Sequence, residues 1–583
     1  MFWRVIFDSF TQTPTIAFVA AALVSFLSIT RPATAAEVSA NPSNYRKLMS
    51  ALKAGDTLEL APGRYPPLAI NGLNGTANAW ITIKGPALGM PVVITGESGR
   101  NTVEISNCSF VAIENLRIDS LGIPGAFGIS AKGGAANLTH DIRIEGNILV
   151  GQNGGQGTDG ISTKTPTWRW IIRNNQILGA GTGLYLGNSD GTQPFVEGLI
   201  ENNLIKDTIG YNMEIKDQNS IPPIPGMPTE TTSTIIRNNV FIKNDDPSPD
   251  GDRPNLLVGA FPGTGIGSHN LYEIYGNFFY HNHREALFQG SGRFSLHDNI
   301  FVDGPHDYPA LVLRNHNFPL KLAYIYNNTI YTTERGIYFG NLALAGDAVF
   351  GNLIFGSAPI TGMVARASDN LTGPLAIAQT YVNSPSFELG AMDFYPRAGK
   401  CQGKAMDLSL FQTEADFGRD FNGALKAKAK GGAVFRGAYA GTGTNPGWRL
   451  QAAIKPASES AVKASAVEDG ATPAIGALLA NPDTLVLISP PRSNDFAMGN
   501  TTGTTPAAAS ALHASLGPAR RTGSSGARSD DAYPSRVLLR QSLARTEPAP
   551  AQRCDRSAVA WAGRRSVALA GGRPTNLGSS KAL

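Results

Sequence analysis

Short runs of alternating apolar and polar residues, each ending at an asparagine, recur along most of this chain. Ile142-Arg143-Ile144-Glu145-Gly146-Asn147 has an earlier counterpart at residues 111–116. Later ones follow at 171–177, 199–205, 235–241, 272–278, 294–300, 323–330 and 348–353. Alternation with a period of two marks a strand with one buried face. The aligned asparagines are Asn115, Asn147, Asn175, Asn203, Asn239, Asn277, Asn299, Asn328 and Asn352, separated by 22 to 38 residues. Self-similarity at such a period predicts a solenoid in which each repeat is one coil of parallel strands. A propeller would need four strands per repeat and a steadier, longer period. Asn suits the corner between strands because it tolerates the left-handed conformation, and amides stacked from coil to coil can hydrogen-bond in a ladder. The expected fold is all-β, a right-handed parallel β-helix.

A second strand precedes each asparagine strand. Aligned by apolar residues, these strands cover 161–164, 184–187, 213–216, 256–259, 287–290, 311–314 and 337–340. First and third positions point into the coil, second and fourth point out. One outward column then reads Ser162, Tyr185, Glu214, Leu257, Phe288, Val312, Tyr338. The other reads Lys164, Gly187, Lys216, Gly259, Gly290, Arg314, Gly340. Glycines leave a floor, Tyr185, Phe288 and Tyr338 supply flat surfaces, and Lys164, Lys216 and Arg314 supply positive charge. Coils stack about 4.8 Å apart, which places Lys164 and Lys216 about 10 Å from each other. Such a row suits an extended acidic polysaccharide. Within residues 210–258, Glu214 and Lys216 share one strand face where neighbouring coils offer Gly, aromatics or aliphatics. Arg314 and His316 fall three coils away, about 14 Å, and are expected to bind a more distant sugar.

The ends of the chain differ from this middle. Residues 1–36 carry Arg4, an apolar run and a small-x-small site at Ala33-Thr34-Ala35, the pattern of a secretory signal peptide. A periplasmic or secreted protein that is not an integral membrane protein after cleavage is expected. Residues 44–53 have helical spacing and would cap the open end of a β-helix domain over 37–456. Residues 457–583 are rich in Ala, Ser, Gly, Pro and Arg without sustained period, and are expected to be largely disordered. Three widely separated cysteines exclude a disulfide framework and a thiolate zinc site. The net charge of +4 conceals +8 over residues 517–583 and +1 over 1–36, leaving the body at −5. That balance argues against nucleic acid as a partner. A monomer is expected.

The phrase Ala54-Gly55-Asp56-Thr57-Leu58-Glu59-Leu60-Ala61-Pro62-Gly63-Arg64-Tyr65, with Gly75-Thr76 and Ile81-Thr82-Ile83 after it, resembles the opening of β-helix carbohydrate enzymes. It is most like polysaccharide lyase family 6, the chondroitinase B and alginate lyase group. Residues 41–120 carry the resemblance, extended by generic coils to about 360, and Arg436-Gly437-Ala438-Tyr439 resembles how such domains end. The resemblance implies a Lys base, an Arg acid from the following coil, and Ca²⁺ held by an acidic cluster. Lys216 falls on the base position with Glu214 beside it, and Arg253 is preferred to Arg237 as the acid. The family's two acidic residues shortly before the Lys are missing here.

The residues themselves support the same class of chemistry. Removing the C5 proton of a uronate requires a base and neutralisation of the adjacent carboxylate by metal, Arg or Lys. Residues 244–252 form an acidic, Pro-rich loop with oxygen ligands of the kind Ca²⁺ takes. His281 and His283 share a strand face without a matching carboxylate in sequence, and Gly304-Pro305-His306-Asp307 is similar to an alginate C5-epimerase motif except at its first residue. No outward Asp/Glu pair falls in adjacent coils, which disfavours a hydrolase. The expected activity is polysaccharide lyase. A uronate C5-epimerase and a non-catalytic glycan-binding surface or matrix protein are the alternatives.

Overall fold

The structure, a computed structural model, describes residues 35–426 and 433–457. All but the last two residues of the expected leader, and all but the first residue of the low-complexity stretch, lie outside them. Three long parallel sheets of fifteen, twelve and eleven strands run side by side. Most coils contribute one strand to each sheet, and Thr167–Trp168 and Phe195–Val196 add two short strands to the first. Ile171–Arg173, Gln176–Leu178 and Thr182–Leu186 pair in parallel with Leu199–Glu201, Leu204–Lys206 and Met213–Ile215 of the next coil. This is the expected right-handed parallel β-helix. Inward residues of the three sheets, such as Ile172, Ile177 and Leu184, have no exposed surface. Burial of this period-two set fixes which face of every strand looks outward.

The corner after the first sheet separates two tasks that the sequence reading gave to one asparagine. The left-handed residue comes first, at Asn174, Asn202, Asn238, Asp298 and Asn327, with Gly146, Gly276 and Gly351 in the same place. The ladder residue follows. Asn147, Asn175, Asn203, Asn239, Asn277, Asn299, Asn328 and Asn352 each donate backbone N–H and Nδ2 to the Oδ1 of the next, at 2.8–3.1 Å. Asn370 ends the column, one coil beyond the last expected. Asn115 belongs to the left-handed position (φ 56°). Leu116 takes its ladder place and donates N–H to Asn147 Oδ1 at 3.0 Å.

Register also corrects the outward columns. Leu256 pairs with Phe288, Leu257 with Gln289 and Val258 with Gly290. The apolar alignment was one residue out in this coil because Leu287 and Phe288 are both apolar. Phe288 points inward, fully buried and edge-on to Phe294 with ring centroids 5.2 Å apart. It is a core residue, not a sugar platform, and Gln289 takes the outward place. Phe288→Ala is expected to cost about 3 kcal/mol, read from the denaturant midpoint, through the cavity it leaves.

The N-terminal end of the solenoid is covered, whereas the strands of the last coil stay partly exposed. The cap helix spans Tyr45–Met49, shorter than residues 44–53, and buries Tyr45 and Met49. An unexpected strand, Glu37–Ala40, pairs with Thr57–Leu60. Val382–Ser384 pairs antiparallel with Asp393–Pro396, and Val382 and Phe394 join a buried cluster with Val240, Phe278 and Ile300 of the twelve-stranded sheet. Buried Lys455 donates to Asn238 Oδ1 (2.9 Å), Gly276 O (2.7 Å) and Phe421 O (2.6 Å), tying the last described residues to the first sheet. No helix among the described residues is long and apolar enough to cross a membrane.

Candidate functional site

The outward face of the third sheet collects the charged and aromatic side chains. Its outward column reads Ser130, Ser162, Tyr185, Glu214, Leu257, Gln289, Val312 and Tyr338 by strand register. Lys216 Nζ lies 2.8 Å from Glu214 Oε1, and the two side chains are only 15% and 5% exposed. So close and shielded a pair holds the amine in one place. Gly187 and Gly259 flank Lys216 on either side. A Cβ at Gly187 would come 3.3 Å from Lys216 Cβ, and one at Gly259 would meet backbone at 2.4 Å. The glycine floor of the fourth column therefore keeps room around Lys216.

Lysines and rings alternate toward the N-terminal side. Lys216 Nζ is 5.3 Å from the Tyr185 ring centroid, and Lys164 Nζ is 4.5 Å from the same ring and 5.0 Å from that of Phe127. Lys132 Nζ sits 5.3 Å from Phe127, one coil further. Each contact places a cation against a ring's negative face. Lys164 also faces Asp159, whose Oδ2 is 3.7 Å away, is buried and has no hydrogen-bond partner. Burial pushes the Asp159 carboxyl up to about 7, Lys164 opposes this, and Glu214 adds to it. Asp159 was not foreseen. It lies before the repeat phrase, where the apolar alignment had nothing to register.

The sign of its effect on stability follows from linkage. The native state holds the Asp159 proton up to about 7, whereas the unfolded chain loses it near 4. Stability is therefore expected to fall as pH rises from about 4 to about 7 and to level off above. Asp159→Asn should flatten that slope, a difference on the order of 4 kcal/mol in chemical unfolding across the window.

Toward the C-terminal side the structure adds Tyr211, Glu285 and Tyr308. Tyr211 lies within electrostatic reach of Glu214 and Arg253, and burial first, then Glu214, holds its hydroxyl well above the ordinary range. Arg253 stacks its guanidinium 5.7 Å from the Tyr211 ring and donates to the carbonyls of Asp252 (3.0 Å) and Asp250 (3.1 Å). Arg253 thus reaches the Lys216 neighbourhood through Tyr211. Its loop is held by Lys243, which donates to Gly210 O (2.7 Å) and Arg253 O (3.2 Å), and by Gln156, bonded to Gly251 O at 2.8 Å. Arg237 faces elsewhere, with Nη2 2.6 Å from Glu201 Oε2 on the first sheet. Burial raises the Glu285 carboxyl, opposed by bonds from the Ala286 N–H, Tyr308 and Gln289 and by the charge of Arg314.

His316 departs from expectation. It was placed three coils from Lys216, but the exposed loop at 314–319 folds back along the sheet. Asn317 Nδ2 bonds Asp217 Oδ2 at 3.1 Å, one residue past Lys216. Partial burial lowers the His316 imidazole below its usual range, and its field comes from Asp217, Arg314, Glu214 and Lys216. His316 therefore belongs to the Lys216 cluster. Strand alternation describes strands, and a loop returning across coils leaves no trace in it.

The remaining sequence signals have structural partners. His306 Nε2 is 2.7 Å from Asp303 Oδ2, and its Nδ1 accepts the Tyr308 N–H at 2.9 Å. Asp245 of the acidic loop meets His281 at 2.8 Å and His283 at 3.4 Å, so the missing carboxylate comes from a loop one coil away. The residues near Lys216 do not fit Ca²⁺. Glu214 is paired with Lys216, Asp217 accepts from the Ala260 N–H (2.7 Å) and Asn317, and Asp159 faces Lys164. Among the described residues no three His, Cys, Asp or Glu side chains converge to hold a metal ion.

No family model and no curated protein matches this chain. Several solved structures are similar to it. An alginate lyase of family PL6, AlyGC, shares 14% identity over 62% of this chain and 56% of its own, with a TM-score of 0.39. The chain thus spans about half of that protein's length. Pectate lyase Pel9A shares 13% over 72% of this chain and 96% of its own, with a TM-score of 0.37. The A-module of the mannuronan C-5 epimerase AlgE6 from Azotobacter vinelandii shares 14% over 57% and 94%, with a TM-score of 0.36. At these scores the likeness decides nothing about the site. The proteins to which this chain is similar are carbohydrate-active parallel β-helix proteins.

Proposed function

We propose that this protein cleaves a uronate-bearing polysaccharide by β-elimination on the outward face of its third sheet. The observation that carries the reading is the close Lys216–Glu214 pair set among lysines and tyrosines, with glycine on both sides. A carboxylate-bearing chain laid along this face meets cations at Lys132, Lys164 and Arg314. Lys216, its own proton passed to Glu214 2.8 Å away, takes the C5 proton as the neutral amine. Electrons of the C–H bond form the C4=C5 double bond, and the glycosidic C4–O bond breaks. The departing oxygen takes a proton from Tyr211, which remains protonated at neutral pH beside Arg253. Substrate binding along this row is the role of Lys164, Tyr185, Arg314 and His316. Export, implied by residues 1–36, would bring the protein to such polymers.

The test is incubation of the full chain with alginate, chondroitin and pectin while following ultraviolet absorbance of the unsaturated product. Absorbance growing with one of them is the expected result. Binding without product would favour a glycan-binding role.

A further inference from the structure

The charge of the uronate carboxylate has to be neutralised before the C5 proton can leave. In a β-helix lyase a divalent cation is one source of that charge and a fixed ammonium is another. Glu214 and Asp217 are each engaged by a protein donor, Asp159 faces the Lys164 ammonium at 3.7 Å, and no donor set for a cation forms among the described residues. What does converge there is positive charge. We propose that Lys164, fixed between Phe127 and Tyr185, neutralises the substrate carboxylate in place of a metal, so that the site acts on uronate chains without a divalent cation.

The proposal rests on the elimination reading and adds the identity of the neutralising group. Lys164 and Lys216 sit on either side of Tyr185, 4.5 and 5.3 Å from its centroid. A sugar seated against that ring presents its C5 hydrogen toward Lys216 and its carboxylate toward Lys164. The Lys164 side chain is 30% exposed, enough to meet a ligand, while two rings restrict its motion. Its protein counter-charge is weak, because Asp159 is buried, stands 3.7 Å away and holds its proton up to about 7. Lys164 thus has positive charge to offer an incoming anion, which a fully satisfied salt bridge would lack.

The experiment measures cleavage and oligouronate binding by the full chain in excess EDTA and in added CaCl₂, with Lys164→Gln and Lys164→Arg alongside. Wild-type cleavage is expected to be the same in both solutions. Lys164→Gln should lose ~100-fold in kcat/KM while melting as the wild type does, and Lys164→Arg should recover most of it. Cleavage abolished by EDTA and restored by CaCl₂ would overturn the proposal and leave the lyase reading standing. Binding in EDTA that depends on Lys164, without cleavage, would support Lys164 as the anion's partner and remove the lyase reading. Neither cleavage nor binding on the whole panel would overturn both.

Discussion

Lys216→Arg is expected to lower kcat/KM on the cleaved polymer by ~10³-fold, the share a positioned general base contributes. Arginine keeps the positive charge and the pair with buried Glu214, but it stays protonated and cannot accept the C5 proton. Oligouronate binding should persist, so the loss should fall on kcat. Lys216→Ala should lose as much activity and also stability, because it removes the cation 2.8 Å from a nearly inaccessible carboxylate. The comparison separates the two roles of the residue. Equal activity in Lys216→Arg and wild type would show that charge alone is needed there.

The largest expected loss of stability lies far from the site, in the asparagine ladder. Asn239 accepts the backbone N–H and Nδ2 of Asn203 at 3.0 and 2.9 Å, and its own Nδ2 reaches Ile200 O and Asn277 Oδ1. Asn239→Ala leaves the Asn203 backbone N–H without a partner, and takes one bond each from Asn203 Nδ2 and the Ile200 carbonyl, in a position with no exposed surface. Water cannot replace them there, so a cost of about 4 kcal/mol is expected. Denaturant unfolding of the variant checks it. Asn238→Gly, one residue earlier, should cost less, about 2 kcal/mol for the bond it takes from buried Lys455, because Gly already fills that left-handed column at Gly146, Gly276 and Gly351. A large loss in Asn238→Gly with little in Asn239→Ala would reverse the assignment of the two positions.

The contrast between these neighbours shows how legible the chain was. The solenoid and most inward faces follow from period-two alternation, because the same burial that folds each strand writes its pattern into the sequence. The Asn-Asn pairs at 174–175, 202–203, 238–239 and 327–328 already held the two-position corner, yet one phrase per coil hid it. Phe288 was misplaced because two successive apolar residues allow two registers, and only pairing with Leu256 selects one. Lys216, Glu214, Lys164 and Tyr185 were found because they stand on strands. Asp159, Tyr211 and His316 stand at strand ends or on returning loops, where side-chain direction is set by contacts between distant coils. The fold-back of Asn317 onto Asp217, a hundred residues earlier, is such a contact.

The proposed elimination at Lys216 would leave a chemical record that neither epimerisation nor hydrolysis can imitate, a vinylic hydrogen at C4 of the new non-reducing end. Proton NMR of polymer digested by the full chain in D₂O reads it directly. The expected spectrum has the vinylic signal with wild type and lacks it with Lys216→Arg. Deuterium at C5 without that signal, or new reducing ends alone, would contradict elimination, and a vinylic signal surviving in Lys216→Arg would contradict Lys216 as the base.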